Sequence, residues 1–342
     1  MDRLCCVQMV NVLRFNAIIL LSMRKVTIFS LAVILIAMAS CSTPYKKLAS
    51  FKTMDEMEYS NPLKKVKLPQ SGYEIAYADV GVGSKTIIFI HGLGSNLQAW
   101  KKNVEVLRNN YRCISIDLPG YGKSSKQPHS GQMTFYAGII NEFVKELGLT
   151  KVVLSGHSMG GQISITTALV YPHIVESLVL VDPAGFERFN KGQKQWFRDV
   201  MTLDGVRLTT TEAIQNNLAT NFYKLPVDAE FMITERISIR TASDFDAYCY
   251  AVVQSVNGMI DEPIIDKLRD VNVPTLIFFG ENDNLIPNRY LNPGRTLDIA
   301  KYGASQIQNS KLVMVPKCGH FMMFEKYDVY NSEVVKFLDQ QH

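Results

Sequence analysis

The sequence predicts an α/β fold: a mostly parallel, twisted sheet flanked by helices, with a helical cap inserted before the last two strands. Three observations carry this. Short apolar runs without polar alternation recur along the chain, helix-like stretches separate them, and residues 186–260 show helical patterns with no strand run. Such runs suit strands buried on both faces of a parallel sheet. Strand–helix alternation then places helices on both sides of it. The chain has 342 residues, 47% of them hydrophobic, which suffices for one sizeable core with an inserted lobe.

From the N-terminus, "MRKVTIFSLAVILIAMASCSTPYKK" begins at Met23 with Arg24 and Lys25, then an uncharged run from Val26 to Ala39. That run of about 14 residues is short of the roughly 20 that span a bilayer as a helix, so it reads as a signal-peptide core. Residues 1–40 are expected to be a signal peptide, with Met23 as the true start because residues 1–22 fit the design poorly. The ending "MASC" resembles the lipobox of bacterial lipoproteins, with Met38 replacing the commoner leucine. The resemblance implies an exported protein, acylated at Cys41 and lipid-anchored to a bacterial membrane; without the lipid it would be periplasmic or secreted. Residues 41–62, polar and containing Lys and Ser, read as a tether.

The formal net charge is +4, and Arg3, Arg14, Arg24 and Lys25 of the leader supply much of it. The near-neutral body gives no electrostatic case for nucleic acid. Beyond the leader and Cys41, Cys113, Cys249 and Cys318 remain, an odd set without CxxC spacing, so no disulfide framework is indicated. "CGH" at 318–320 has no HExxH or second cysteine pair beside it. No metal and no cofactor is expected.

The first part of the core, 63–185, opens with the alternating strand "YEIAYADV" (73–80). "KTIIFIHG" (85–92), "YRCISIDLPG" (111–120), "KVVLSGHS" (151–158) and "SLVLVDPAG" (177–185) follow as buried strands ending in turns. Between them, "MTFYAGIINEFVKELGL" (133–149) sets Phe135, Ile139, Phe143 and Leu147 on one helix face. In the cap, 186–260, Phe245, Tyr248, Val252, Val256 and Met259 form a helical stripe, and Ile214, Leu218 and Phe222 a looser one. An all-helical insertion there reads as a lid over the strand ends. The second part of the core, 261–342, contributes "PTLIFFGEND" (274–283) and "SKLVMVPKCGH" (310–320).

Ligands of open α/β sheets bind beyond the carboxyl ends of the strands. His91, Asp117, Ser158, Asp182, Asp283 and His320 all follow apolar runs and are expected along one rim. "GHSMG" is a G-x-S-x-G turn in which Gly156 and Gly160 leave room for a sharp bend that exposes Ser158 above a helix N-terminus. A serine hydroxyl needs a base, and His320 follows the last strand at the same rim; the elbow is expected to send the His157 side chain elsewhere. The histidine needs a carboxylate. Asp283 gives the order Ser, Asp, His and is preferred, with Asp182 as the alternative acid. In "HGLGSN" (91–96), Gly92 and Gly94 let the backbone turn inward, so the amides of Leu93 and Met159 are the candidate oxyanion donors.

These motifs together — "HGLG", "DLPGYGKS" (117–124), "GHSMGG" (156–161), "GEND" (280–283) and "CGHF" (318–321) — resemble the α/β-hydrolase fold superfamily over roughly residues 65–340. The resemblance implies a cap lining an acyl pocket, and a structural role for Asp117, Gly120, Gly122 and Ser124. Epoxide hydrolases and haloalkane dehalogenases of this superfamily carry aspartate at the elbow, so Ser158 disfavours those reactions. The chain is similar to monoacylglycerol lipases and small carboxylesterases, which implies hydrolysis of a carboxylic ester with an apolar acyl or aryl group through an acyl-enzyme. The alternatives are a carbon–carbon bond hydrolase of aromatic ring-cleavage products and a non-catalytic ligand receptor. Ring-cleavage hydrolases usually have tryptophan where this chain has Phe321.

Overall fold

The computed structural model describes Tyr45 and residues 48–341, so the expected signal peptide and Cys41 lie outside the described residues. The fold lies within Ser50–His342. Eight strands form one sheet in the order β1-β2-β4-β3-β5-β6-β7-β8. They are β1 (Leu63–Lys67), β2 (Glu74–Val80), β3 (Thr86–Ile90), β4 (Arg112–Ile116), β5 (Val152–His157), β6 (Val175–Val181), β7 (Thr275–Gly280) and β8 (Ser310–Val315). β1 and β2 pair antiparallel at one edge, and β2 is antiparallel to β4; every other pairing is parallel. The central strands β3, β5 and β7 are buried at every position, which explains their unbroken apolar runs.

One face of the sheet is covered by α2 (Met133–Glu146) and α3 (Met159–Val170), the other by α1 (Lys101–Leu107) and a C-terminal helix, Tyr327–Asp339. The buried face of α2 holds Met133, Tyr136, Ile140, Phe143 and Val144, whereas Phe135 and Leu147 of the expected stripe are only partly covered. Strict spacing by four drifts off a helix face that repeats every 3.6 residues. Between β6 and β7 comes the helical insertion: α4 (Lys191–Val200), α5 (Leu203–Arg207), α6 (Thr211–Thr220), α7 (Glu230–Ser238) and α8 (Phe245–Asp261). α8 buries Phe245, Tyr248, Val252 and Val256 as expected, with Met259 partly buried.

The stretch expected to be a tether is packed from Phe51 onward. Met54 and Met57 are buried in the main core. The Phe51 amide donates to Thr241 Oγ1 (2.8 Å), the Met54 amide to Asp244 Oδ1 (3.0 Å), and the Ser243 amide to the Lys52 carbonyl (2.8 Å), so this strap is sewn to the cap. Two buried methionines and three backbone-anchored bonds outweigh a polar composition that otherwise suggests solvent.

Candidate active site

Each candidate residue follows a strand end: His91 after β3, Asp117 after β4, Ser158 after β5, Asp182 after β6, and Asp283 and His320 in the loops after β7 and β8. Parallel strands bring these ends to one edge of the sheet, beneath the cap.

Ser158 sits at φ 54° and ψ −117°, a backbone conformation that L-residues rarely adopt. The bend carries β5 directly into α3. A side chain at Gly160 would place Cβ 2.3 Å from the Ile90 carbonyl oxygen and 2.7 Å from that of His91, so only glycine lets α3 start this close to β3. Met159 is the first residue of α3, and neither its amide nor that of Leu93 donates to another group among the described residues. Two uncommitted N–H groups at a helix start and a glycine turn are suited to a developing oxyanion.

His320 Nδ1 lies 2.8 Å from Asp283 Oδ2, and both side chains are buried. Asp283 Oδ1 accepts from the amides of Leu285 (2.7 Å) and Ile286 (3.1 Å), which fixes the carboxylate. With Nδ1 held by Asp283, Nε2 is the nitrogen left to serve a hydroxyl. Asp283, not Asp182, is therefore the hydrogen-bond partner of His320. Asp182 is buried against it: ligand atoms of Asp182, Asp283 and His320 lie within 4.8 Å of one another.

His157 does not leave the site. The polypeptide bends at Ser158, one residue later, so the His157 ring stays in the layer below the serine. Its Nε2 donates to the His320 carbonyl (2.9 Å) and its ring centroid lies 4.8 Å from that of His320. Burial first, then the neighbouring His320, pushes its pKa well below the ordinary histidine value, so it stays neutral. It ties the loop of the candidate base to the elbow. His91 also stays neutral, with its pKa lowered by burial to about 4; it accepts from the Leu118 amide at 3.1 Å. Asp117 accepts from the amides of Leu97 (2.9 Å) and Lys123 (2.7 Å) and from Tyr59 Oη (2.8 Å), a bracing role for the loop that follows Leu93.

Ser158, His320, Leu93 and Phe321 line one cavity of about 670 Å³ between the strand ends and the cap. Its walls are mainly apolar: Ile214, Phe231, Met232, Val252 and Val256 from the cap, and Met54 and Met57 from the strap. Phe321 stacks on Phe222 at 5.3 Å. The cavity is also lined by Glu187, Lys194, Glu235, Arg236 and Arg240, none of which the sequence singles out. Glu235 is raised by burial to about 7 and accepts from Asn96 Nδ2 at 3.1 Å. Arg236 is lowered by burial to about 10, still cationic at neutral pH. Its Nη1 donates to the Gly94 carbonyl (3.0 Å) and its guanidinium lies 4.7 Å from the Tyr248 ring centroid. Gly94, at φ 67°, would bring a Cβ within 3.1 Å of both guanidinium Nη atoms, so glycine makes this approach possible. Among the described residues no carboxylate forms an ion pair with Arg236. On a cap helix Arg236 reads as one more surface charge, and only the packing reveals a half-buried cation facing a cavity.

An elbow serine, a buried His–Asp pair and free amides at the rim of this sheet define a hydrolase site of the α/β type. The chain belongs to the alpha/beta hydrolase fold family, whose profile matches residues 85–327. It is 27% identical over 272 residues to a 2-hydroxy-6-oxononadienedioate/2-hydroxy-6-oxononatrienedioate hydrolase of Pseudomonas putida, covering 77% of this chain and 91% of that one. It is 36% identical over 273 residues to the dihydrolipoyllysine-residue acetyltransferase component of the acetoin cleaving system of Cupriavidus necator, covering 78% of this chain and 67% of that one. Its fold is similar to that of a probable hydrolytic enzyme from Pseudomonas aeruginosa PAO1, with a TM-score of 0.75 and 23% identity over 85% of this chain and 99% of that one.

Proposed function

We propose that this chain is a serine hydrolase that cleaves a carbon–carbon bond beside a ketone, in a substrate of the ring-cleavage type that carries a carboxylate. Ser158 Oγ adds to the carbonyl and its proton passes to His320 Nε2, while Asp283 holds the imidazole and stabilises its charged form. The amides of Leu93 and Met159 receive the oxyanion. The dienol first moves its hydroxyl proton to the carbon beside the scissile bond; collapse then expels that fragment as a dienolate delocalised onto the 2-oxo group, which takes the proton from His320, and water resolves the acyl-enzyme along the same route. The observation that carries this reading is Arg236: a half-buried cation lining the cavity beside the oxyanion loop, with no ion-pair partner among the described residues, suited to the carboxylate of the departing fragment. The name of the Pseudomonas putida relative, a dioate hydrolase, supports the same chemistry.

Ester hydrolysis, which the sequence reading placed first, remains the second reading. It uses the same addition step, with an alkoxide as the leaving group. Phe321 in place of tryptophan and the largely apolar walls favour it. Export and acylation at Cys41 complete the proposal, and intact-mass measurement of membrane-extracted protein tests them.

The deciding experiment compares a 2-hydroxy-6-oxo-dienoate, followed by loss of its visible absorbance, with p-nitrophenyl acetate. Turnover of both is expected to vanish in Ser158→Ala. Arg236→Met is expected to lose roughly 10²–10³-fold in kcat/KM on the dienoate and much less on the uncharged ester. Equal losses on both substrates, with the ester preferred by wild type, would shift the assignment to an esterase. Failure of a fluorophosphonate to label Ser158 would remove the enzyme reading altogether.

A further inference from the structure

Asp182 is fully buried at the end of β6, at φ 42°. Its Oδ1 accepts from the Gly280 amide at 2.9 Å and the Met322 amide also faces the carboxyl, while its buried Oδ2 makes no hydrogen bond of ordinary geometry. Beside it, within the same 4.8 Å cluster, stands Asp283, whose carboxylate accepts from His320 and from two backbone amides. The donors thus converge on Asp283. Two adjacent buried carboxylates served by one imidazole do not both ionise.

We propose that Asp182 is a positioning residue that keeps a proton on Oδ2 and donates it to the Asp283 carboxylate, so that the acid of the triad is a carboxylic acid–carboxylate pair. Burial, and then the charge of Asp283, drives the Asp182 carboxyl well above the usual carboxylate range. The shared proton draws negative charge away from the side of Asp283 that faces His320. It thereby moderates how strongly the imidazolium is stabilised and sets where the acid limb of the rate profile falls.

Other charged or titratable groups near the pair are few. His157 lies under His320 and stays neutral. Cys318, with its thiol raised by burial, stays protonated. Glu187, raised by burial, is held by the Asn288 amide at 2.8 Å, and Glu325 by the Gly319 amide at 2.8 Å; Lys326 adds one cation near Cys318.

The inference rests on the triad reading for its kinetic part only. Infrared spectroscopy of the full chain at pH 8 tests the proton directly. A C=O stretch of a protonated carboxyl is expected in wild type and in Ser158→Ala, and Asp182→Asn is expected to lose nearly all of it, leaving only the small share from Glu235. Absence of that band in wild type overturns the proposal whether or not the protein turns over any substrate.

The kinetic part reads the pH dependence of kcat on p-nitrophenyl acetate. Asp182→Asn supplies an amide donor in place of the acid, so the acid limb is expected to stay in place. Asp182→Ala removes the donor, leaves Asp283 more basic, and is expected to move the limb up by about one pH unit. An ionised Asp182 gives the opposite sign, because Asp182→Asn would then remove a negative charge and lower the limb. A lowered limb in Asp182→Asn, or a limb fixed in both variants while only the melting temperature falls, overturns the positioning role.

Discussion

Replacing Asp283 by asparagine tests the site most sharply, because the structure dictates which way the new amide faces. Oδ1 of Asp283 accepts from the amides of Leu285 and Ile286 at 2.7 and 3.1 Å. In Asp283→Asn the carboxamide oxygen must stay on those donors, since the flipped amide would set NH₂ against two N–H groups. The NH₂ therefore points at His320, where Oδ2 stood 2.8 Å from Nδ1. Nδ1 must then accept, the ring proton moves to Nε2, and the nitrogen that should take the Ser158 proton carries one already. The expected loss is about 10⁴-fold in kcat, or about 5.4 kcal/mol at about 1.36 kcal/mol per decade, with KM little changed. The assay is steady-state hydrolysis of p-nitrophenyl acetate across pH, alongside thermal unfolding to show that the variant is folded. The residual rate should climb with hydroxide concentration. A folded variant within about tenfold of wild type would show that Asp283 does not govern the tautomer, and the reasoning would fail.

Two further outcomes follow from the packing. Gly160→Ala would drive a methyl group into the Ile90 and His91 carbonyls; a loss of about 2 kcal/mol is expected, read as a lower urea midpoint with unchanged m-value, and an unchanged midpoint would contradict the close approach of α3 to β3. His91 and His129 both have pKa values lowered by burial to about 4 from an ordinary 6.5, so the unfolded chain takes up protons that the native state refuses. Their contribution to stability is whole above pH 6.5 and is lost on acidification, by roughly 1.4 kcal/mol per pH unit for each, down to about 4; a urea midpoint flat across that window would refute it.

Most of the sheet was legible because its strands are buried on both faces and so read as unbroken apolar runs. The exception was β1, "LKKVK", which falls at the start of the core but whose exposed lysines give no apolar run to mark a strand. They are what an edge strand carries to discourage further pairing. Ser158, Asp283 and His320 could be read because motif and strand end coincide for each, and both candidates for the acid fell within the same cluster. Arg236 and Glu235 could not, because their burial depends on where a cap helix docks, which local sequence does not encode. The reading of His157 failed on a single geometric point: the backbone turns one residue after it, so the ring is retained under the base instead of being ejected.

The strap of Phe51 to Met57 has a consequence for biogenesis. Its partners on the cap, Thr241 among them, lie 190 residues further along. Synthesis proceeds from the N-terminus, so these methionines emerge early and wait for nearly the whole of translation before anything exists to cover them. The wall they supply to the cavity is thus assembled last. The opening segment and the late helices must then find each other in a single closing event.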